Sequence, residues 1–374
     1  MEKFLPWFAL KSVPGVGNLL FSRLIRRFRS PGEVFMASYE ELLSVRGITR
    51  HLARAIQRHN VGDEVKREIE LAERKGYRII TLSAPEYPPL LLQIPDPPPF
   101  LYVYGDMGNS AKSIAVVGSR TATAYGISAA TSLAAELAER DITVISGMAK
   151  GVDTAAHDGA VMAKMGKGKT IAVLGSGLER IYPRENHRLF HKIAENGAVI
   201  SEFHLKAEPE AHNFPIRNRI IAGISLGTVV VEAGRKSGAL ITAEFALEYD
   251  REVFAIPGNI HSFKSVGSHE LIKNGAKLVT NVQDILDELP HIIREHIASK
   301  NISQSKILDK LPPLSSEELL VFKELGPYPV HIDDLAQKTS VEPGKLSGIL
   351  LQLELRGIVR QEPGMLFSIE VKMF

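Results

Sequence analysis

The sequence contains no cysteine. This absence excludes disulfide bonds, thiol nucleophiles and thiolate metal sites, and it is compatible with a reducing cytosol. Long apolar runs are also missing, since none approaches the roughly 20 residues that a membrane-spanning helix needs. The first residues lack the layout of a signal peptide, because Glu2, Pro6 and Lys11 interrupt a short apolar run. We therefore expect a soluble, cytoplasmic protein with no membrane partner.

The chain also lacks a strong excess of one charge, with 45 Lys and Arg against 43 Asp and Glu. The charge is unevenly placed, however, because residues 1–60 hold ten Lys or Arg and only four Asp or Glu. A basic segment of this kind is typical both of a polyanion-binding surface and of a solvated helical face. Composition alone leaves both interpretations open.

Cofactor motifs are incomplete. The dinucleotide fingerprint needs three closely spaced glycines, but Gly118 is followed by no glycine until Gly126. Gly175 and Gly177 are followed by Arg180, where the third glycine belongs. The histidines show no spacing typical of a metal site. We therefore expect neither a cofactor nor a metal.

Catalytic motifs are incomplete as well. Residues 168–170 imitate the end of a phosphate-binding P-loop, but they precede a predicted strand instead of following one. Ser225 has the glycine spacing of a hydrolase nucleophile, yet it ends a predicted helix, which indicates a structural role. His157, next to Asp158, is more typical of a hydrogen-bonded structural histidine than of a catalytic dyad. The residues thus predict no enzyme.

The first part of the chain contains an internal echo at an offset of 32 residues. Residues 12–17 precede the amphipathic run 19–28, and residues 44–49 precede the run 52–58 in the same way. Such pairs resemble helix-hairpin-helix modules, whose glycine turn can present backbone N–H groups to a phosphate. We predict a SAM-like or helix-hairpin-helix helical domain over residues 1–80, with DNA contact and simple packing both open as its role.

Short apolar runs bounded by glycine alternate with helical patterns between residues 81 and 290. Ile114–Val117, Ser128–Arg140 and Ile142–Ile145 predict a strand, a helix and a second strand. Further core strands are predicted at residues 170–174, 198–201, 228–231, 252–256 and 277–279. This alternation indicates an α/β fold with an extended Rossmann-like, doubly wound parallel sheet.

The last part of the chain predicts a winged helix over residues 315–374, after a linker at 291–314. Three helical patterns, at residues 317–325, 332–338 and 343–356, precede two short predicted strands. Six Lys or Arg stand against nine Asp or Glu from residue 315 onward. This balance favours protein contact or packing over strong DNA binding.

Glycine-rich turns with cations follow the predicted core strands. Because parallel pairing brings these turns to one carboxyl edge, where helix N-termini favour anions, we predict a phosphate-binding edge. The candidate residues are Gly118, Ser119, Arg120, Ser146, Gly147, Lys150, Gly151, Gly175, Ser176, Gly177, Phe214, Arg217, Asn218, Arg219, Lys236 and Ser237. The alternative is that Arg217 and Arg219 pair with Glu202 and Glu232 in the polar rim of the sheet.

Several of these motifs, taken in order, resemble the DprA or Smf family of DNA-processing proteins over residues 113–289. The resemblance is carried by Gly118 to Arg120, Ser146 to Asp153 with His157, Gly175 to Gly177 with Tyr182 and Pro183, Phe214 to Gly223 with Ser225, Ser237 to Ala243, and Ile256 to Gly258. It implies a three-part plan: a helical N-terminal domain, the Rossmann-like core and a winged helix.

The resemblance also implies a function without catalysis. Members of the family bind single-stranded DNA, help to load the RecA recombinase onto it during natural transformation, and act as homodimers through the core. By motif, Arg120, Lys150, Arg217 and Arg219 would contact phosphates, Phe214 would offer a stacking surface, and the glycines would supply N–H groups. Lys236 is the less secure match.

Two other functions stay open at this point. One is an enzyme that acts on a nucleotide phosphate, for which Glu232 is the one carboxylate that we can name in the predicted pocket. The other is a protein-interaction adaptor with a vestigial pocket.

Overall fold

The computed structural model describes residues 2–59, 61–108, 110–163, 169–289, 315–325, 330–339, 341–362 and 364–369. Two compact units divide the chain, residues 1–293 and 294–374. The first unit holds both the N-terminal helices and the large sheet, so the predicted domain boundaries stay predictions. The predicted linker, Gly168 and Pro363 lie outside the described residues. Among the described helices, none is a candidate for a membrane span.

The first unit begins with six helices. They are α1 (Leu5–Ser12), α2 (Asn18–Phe28), α3 (Pro31–Met36), α4 (Tyr39–Leu43), α5 (Arg50–Gln57) and α6 (Asp63–Arg74). The turns that precede α2 and α5 have the same geometry. Val16 N donates to Val13 O and Ile48 N donates to Val45 O, each at 3.0 Å. Gly15 and Gly47 adopt φ values of 94° and 97°, which favour glycine because it has no Cβ. The internal repeat in the sequence therefore corresponds to a repeated turn in the structure.

Nine strands form the large sheet. They are β1 (Arg78–Thr81), β2 (Phe100–Gly105), β3 (Ser113–Gly118), β4 (Thr143–Ser146), β5 (Thr170–Val173), β6 (Gly197–Ser201), β7 (Gly227–Val231), β8 (Glu252–Ala255) and β9 (Lys277–Leu278). Their order is β1-β2-β6-β5-β4-β3-β7-β8-β9, with β2 antiparallel to both of its neighbours and β3 to β9 parallel. Each predicted core strand is present to within one residue.

Helices cover both faces of this sheet. They are α7 (Ala124–Glu139), α8 (Val152–Met162), α9 (His187–Asn196), α10 (Asn213–Ile224), α11 (Gly238–Glu248), α12 (Val266–Lys273) and α13 (Val282–Glu288). One apolar core joins α7, α8 and α13 to the strands, and another joins α10 and α11 to them. The predicted extended Rossmann-like, doubly wound sheet is confirmed. The strand order reverses between β3 and β7, and the crevice at such a switch point is where α/β sheets bind ligands.

One predicted helix start was placed too late in the chain. Helix α7 begins at Ala124 and not at Ser128, because Thr123 Oγ1 accepts a hydrogen bond from Gly126 N at 3.2 Å and caps the helix. Helix α10 begins at Asn213, which places Arg217 and Arg219 inside the helix.

The second unit has its own apolar core. Its described elements are α14 (Ser316–Glu324), β10 (Val330–His331), α15 (Ile332–Thr339), α16 (Pro343–Leu355), β11 (Val359–Glu362) and β12 (Leu366–Ile369). The three helices and the β11–β12 hairpin match the predicted pattern. Strand β10 was not predicted, and it pairs with β12 to complete a three-stranded sheet.

Small residues let α7 and α8 pack closely beside β3 and β4. Ala130 and Ala134 of α7 and Ala156 of α8 are fully buried. Gly159 of α8 lies against the backbone of Thr131, so that a Cβ on this glycine would overlap the Thr131 carbonyl group. This contact keeps the two helices at the distance that the turns of the carboxyl edge require.

We predict that Gly159→Ala destabilises the first unit by about 2–4 kcal/mol. Alanine gains about 1 kcal/mol of helix propensity, but overlap with a backbone oxygen cannot be relieved by a side-chain rotation and outweighs that gain. Urea unfolding followed by circular dichroism measures the difference. Gly238→Ala, in the first turn of α11, is the control, because its Cβ would meet nothing within 4 Å. Equal stability of the two variants would contradict the argument.

Candidate nucleic-acid interface

A cavity of about 780 Å³ lies at the carboxyl edge of the parallel strands, at the switch point between β3 and β7. Eight of the predicted residues line it: Gly118, Ser119, Arg120, Phe214, Arg217, Asn218, Lys236 and Ser237. A recess of about 50 Å³ adjoins it through Arg120 and Phe214. Four more predicted residues line the recess: Gly147, Lys150, Gly175 and Ser176. The structure thus brings most of the predicted turns together.

Arg120 and Phe214 form the centre of this site. Arg120 is exposed, and its guanidinium carbon lies 5.2 Å from the centroid of the Phe214 ring. The Arg217 guanidinium carbon lies 5.8 Å from the same centroid. Tyr182 meets Phe214 at 5.7 Å between ring centroids and is 43% exposed. Cations and aromatic rings therefore share one wall, as nonspecific single-strand binding requires.

The Phe214 ring is only half-exposed because the backbone at Gly175 packs against it. A Cβ on Gly175 would lie 2.8 Å from Phe214 Cδ1. Since the Phe214 ring is in contact with Gly175 on one side and lies close to two guanidinium groups, Tyr182 is more accessible to a ligand than Phe214. Sequence reasoning quoted Tyr182 as a motif residue but did not include it among the binding residues.

Arg217 lies beneath the cavity surface. Its side chain is buried, and Nη1 donates to Gly147 O at 2.7 Å and also to Val173 O. Burial lowers the pKa of Arg217 to about 10, although the nearby Asp153 carboxylate acts in the opposite direction. The expectation that Arg217 is an open phosphate ligand, or a partner of Glu202 or Glu232, needs correction, because its hydrogen bonds go to backbone carbonyls.

Gly147 is required by this arrangement. A Cβ at Gly147 would overlap the Arg217 guanidinium group. Helix α8 is preceded by Gly151, and Asp153 in its first turn accepts a hydrogen bond from Ala149 N through Oδ2 at 3.3 Å. Burial raises the pKa of Asp153, against the influence of the Arg217 charge.

Arg219 lies outside the cavity. Its guanidinium group donates to Glu202 Oε2 at 2.5 Å and to Asp96 O at 2.8 Å, and it lines a separate groove with Lys11 and Asn18. This placement corrects the expectation that Arg219 joins Arg217 at one phosphate site. The alternative pairing of Arg219 with Glu202 is the one present.

Lys150 is exposed at the rim of the recess, where its Nζ lies 2.5 Å from Glu185 Oε1. The hydrogen bond that Lys150 donates to the Glu185 carboxylate raises the pKa of Lys150. Because both side chains are more than half exposed, with 58% and 65% of their surface accessible, the pair is weak and can exchange for a phosphate.

Three predicted residues shape the edge without lining the cavity or its recess. Ser146 is buried and donates to Val116 O at 2.6 Å. Gly151 adopts a φ of 80° and packs against the Ser119 carbonyl group. Gly177 packs against the backbone carbonyl of Leu205, where a Cβ would overlap it.

Three others have defined neighbours in the cavity or its recess. Asn218 Nδ2 donates to Gly238 O at 3.1 Å, and Ser237 is the N-cap residue of α11. Ser176 is buried and donates to Arg180 O at 2.7 Å.

The carboxylate of Glu232, which an enzyme would need, is engaged in hydrogen bonds within the protein. Glu232 Oε2 accepts from Thr123 N at 2.8 Å, and Oε1 accepts from Thr123 Oγ1. It adopts a φ of 52° and does not belong to the described lining of the cavity. Glu232 therefore holds the N-terminus of α7 and is not poised as a general acid or base.

Sequence reasoning missed Phe263 and Lys264, which also line the cavity. Phe263 is 76% exposed, and Lys264 Nζ donates to Thr121 O. Both lie in the segment between β8 and α12. The signal was available, because β8 is parallel to the other core strands and its following segment must begin at the same edge.

Two other early interpretations are borne out. Ser225 is buried and donates to Ile221 O at 2.8 Å, as expected of a structural serine. His157 is fully buried, with Nδ1 at 2.7 Å from Thr170 Oγ1. Since the Thr170 hydroxyl donates to Val144 O at 3.0 Å, the proton of this pair belongs to His157 Nδ1. Burial lowers the pKa of His157 to about 3.

We predict that His157 makes the first unit sensitive to acid. Its pKa in the folded state is below the ordinary value near 6.5, so between pH about 6.5 and about 3 the unfolded state binds more protons. The free energy of unfolding should therefore fall as the pH falls through this window, by up to about 1.4 kcal/mol per pH unit. Urea unfolding of the wild type and of His157→Gln from pH 7 to 5 measures the contribution. Identical pH slopes in the two proteins would refute it.

Comparison with known proteins places the chain in a family. The model of the DNA recombination-mediator protein A family matches residues 78–290, and that of the DprA winged helix domain matches residues 309–365. The chain belongs to the DNA recombination-mediator protein A family. A relative from this family, Protein Smf of Synechocystis, is 34% identical and is covered over 98% of its length by 97% of this chain. DNA processing protein DprA of Streptococcus pneumoniae is 45% identical, over 54% of this chain and 71% of the relative.

Two solved structures from DprA proteins also resemble the chain. The structure of DprA from Streptococcus pneumoniae has a TM-score of 0.61 and 33% identity, covering 73% of this chain and 98% of that one. DNA processing protein A from Helicobacter pylori, described for its unique single-stranded DNA binding mode, has a TM-score of 0.51 and 30% identity, covering 57% and 97%. The family match also confirms the predicted winged helix.

Proposed function

We propose that this protein binds single-stranded DNA in the cavity at the β3–β7 switch point. The observation that carries the proposal is the shared wall of Arg120, Phe214 and Tyr182, where an exposed cation adjoins two aromatic rings. The description of the Helicobacter pylori relative as a single-stranded DNA binder supports the same function. Lys150, Lys236 and Lys264 add positive charge around this wall.

Binding of this kind needs little sequence preference. Phosphates are recognised by charge, and every base offers a π-face for stacking, so that affinity depends more on salt than on sequence. Arg217 contributes its charge from beneath the surface, and Gly147 makes room for its guanidinium group. We do not include Arg219 in the binding site, because Glu202 and Asp96 hold it elsewhere.

We infer that the site binds without catalysis. Among the described residues that line the cavity, Asp153 is the carboxylate, and it is buried beside Arg217 with its Oδ2 accepting from Ala149 N. A general acid or base must reach the reacting group. The Asp153 carboxylate is buried and accepts a hydrogen bond from the protein backbone instead.

We further propose that the bound strand is passed to a RecA recombinase and that the protein acts as a homodimer through its core. The family description as a recombination mediator supports the first proposal. The open sheet edge at β9 supports the second, because Leu278 on this edge is 41% exposed. Light scattering should then give twice the chain mass of 41.1 kDa.

Arg120→Ala should weaken binding of a dye-labelled oligo-dT by about tenfold or more, whatever the sequence of a competitor strand. The slope of log affinity against log salt should flatten by about 0.7 for the phosphate contact that is lost. Fluorescence anisotropy over a salt series gives both quantities. Arg188→Gln, which changes an exposed arginine on α9, is the matched control.

The same pair of variants tests the recombination step. Strand exchange by RecA on DNA covered with single-strand-binding protein should be stimulated by the wild type and by the Arg188 variant, but not by Arg120→Ala. Unchanged affinity and salt slope in a folded Arg120→Ala protein would refute the cavity site. Normal binding without stimulation would refute only the RecA proposal.

Glu185→Gln should strengthen binding of the same oligonucleotide by a few fold. The change removes the carboxylate that pairs with Lys150 and leaves the ammonium group available for a phosphate. Anisotropy at low salt, where exposed charges are least screened, should show the largest gain. Glu195→Gln, on the α9 helix and outside the cavity lining, is the control. Weaker binding by Glu185→Gln would place Lys150 outside the path of the strand.

A further inference from the structure

A second basic surface lies in the N-terminal helices. Between residues 18 and 59 the chain has eight arginines, no lysine and three glutamates. We use the name arginine surface for six of these arginines: Arg23, Arg27, Arg46, Arg50, Arg54 and Arg58. All but Arg23 are exposed, and Arg23 is partly so. The proposed single-strand cavity uses none of them.

The arginine-bearing helix α2 contacts the turn before α5. Arg23 Nη1 on α2 donates a hydrogen bond to Arg46 O in this turn at 2.9 Å. Arg50 and Arg54 lie about one helical turn apart on one side of α5, Arg46 lies in the turn before the helix, and Arg58 directly follows it.

Helix α4 lies near arginines of both α2 and α5. The Arg54 guanidinium carbon lies 5.9 Å from the centroid of the Tyr39 ring. Hydrogen bonds from Ser38 lower the pKa of Glu41, and the charge of Arg27 adds to this effect, so Arg27 also lies near α4. The six arginines therefore lie on neighbouring elements, namely α2, the turn before α5, and α5 with the residue that follows it, with α4 beside α2 and α5.

Little of this charge is neutralised within the protein. Across the described part of the chain, no ion pair of 4.0 Å or less links the arginine surface to a carboxylate. Glu33 and Glu41 interact with the N-cap serines of α3 and α4 instead. Six arginines held close together repel one another, which favours binding of a polyanion.

The chemistry of the surface favours a double-stranded partner over a single strand. Guanidinium groups match the geometry of phosphates. Single-strand binding also needs rings on which bases can stack, yet Phe21 and Phe28 are buried here and Arg54 lies over the ring of Tyr39. A duplex presents phosphates outside and keeps its bases stacked, so it needs charge alone.

We propose that the arginine surface binds the phosphate backbone of double-stranded DNA without sequence preference. The protein then has two nucleic-acid sites of different chemistry: a cavity with rings for a single strand and a flat cationic surface for a duplex. Such a pair allows one molecule to hold a single strand beside a duplex.

The double variant Arg46→Gln with Arg50→Gln tests the proposal in the full chain. Neither side chain has a hydrogen bond or ion pair with another described residue, so folding should be unaffected. Arg67→Gln with Arg74→Gln, which changes two exposed arginines of α6, is the control with the same change in net charge. Probes are a dye-labelled duplex of about 20 base pairs and an oligo-dT, each titrated over a salt series by anisotropy.

The Arg46 and Arg50 variant should bind the duplex at least about tenfold more weakly, and its salt slope should flatten by about 1.8, since each lost duplex contact is worth about 0.9. Its affinity for oligo-dT should equal that of the control. Arg120→Ala should show the reverse pattern, which makes failure of this proposal distinguishable from failure of the cavity site.

Three results would overturn the proposal. They are a wild-type protein that does not bind the duplex, a duplex affinity and salt slope equal to those of the control, and duplex binding that only Arg120→Ala abolishes. An equal loss of oligo-dT binding in the Arg46 and Arg50 variant would assign the surface to the path of the single strand instead.

Discussion

The buried guanidinium group of Arg217 is the interaction on which the carboxyl edge depends. By donating to Gly147 O and to Val173 O, it joins helix α10 to the turn after β4 and to the last residue of β5. The cost of burying this charge is offset by the carbonyl dipoles and by the Asp153 carboxylate nearby. Gly147 must be glycine because the guanidinium group occupies the space of a side chain. A positive charge is thus fixed under the cavity floor, where solvent and salt screen it less than an exposed one.

The remaining parts of the site are arranged around this fixed charge. Arg120 is exposed where Arg217 is buried, and both lie near the Phe214 ring. Glu232 fixes the start of α7 through Thr123 and thereby the turn that carries Arg120. The cavity therefore combines a rigid floor with cationic side chains that are free to adjust, which suits a flexible polyanion better than a small rigid ligand.

Much of the fold could be predicted from the sequence, because buried parallel strands are short apolar runs that end at glycine. The runs that become β3 and β5 end at Gly118 and Gly175, and parallel pairing then requires their turns to share one edge. The positions of Gly118 and Arg120 followed directly. Residues 91–93, which form a short 3₁₀ helix, and strand β10 were not predicted, since neither carries a periodic pattern.

The different positions and partners of the Arg217 and Arg219 side chains were harder to predict, and the reason is helix geometry. The motif predicts both arginines as phosphate ligands at one edge of the sheet. Helix α10 begins at Asn213, so the two residues lie inside it, and a separation of two residues rotates their side chains by roughly 200°. One therefore meets the cavity floor, and the other meets Glu202 and Asp96.

This geometry makes α10 a mechanical link. On one side the helix carries Phe214 and Arg217 to the cavity, and on the other Arg219 holds Glu202, which also accepts a hydrogen bond from Asn18 Nδ2 at the start of α2. Through this Arg219–Glu202–Asn18 chain, the first helical turn of α2 is joined to a helix that lines the cavity, although no residue of that turn belongs to the described lining.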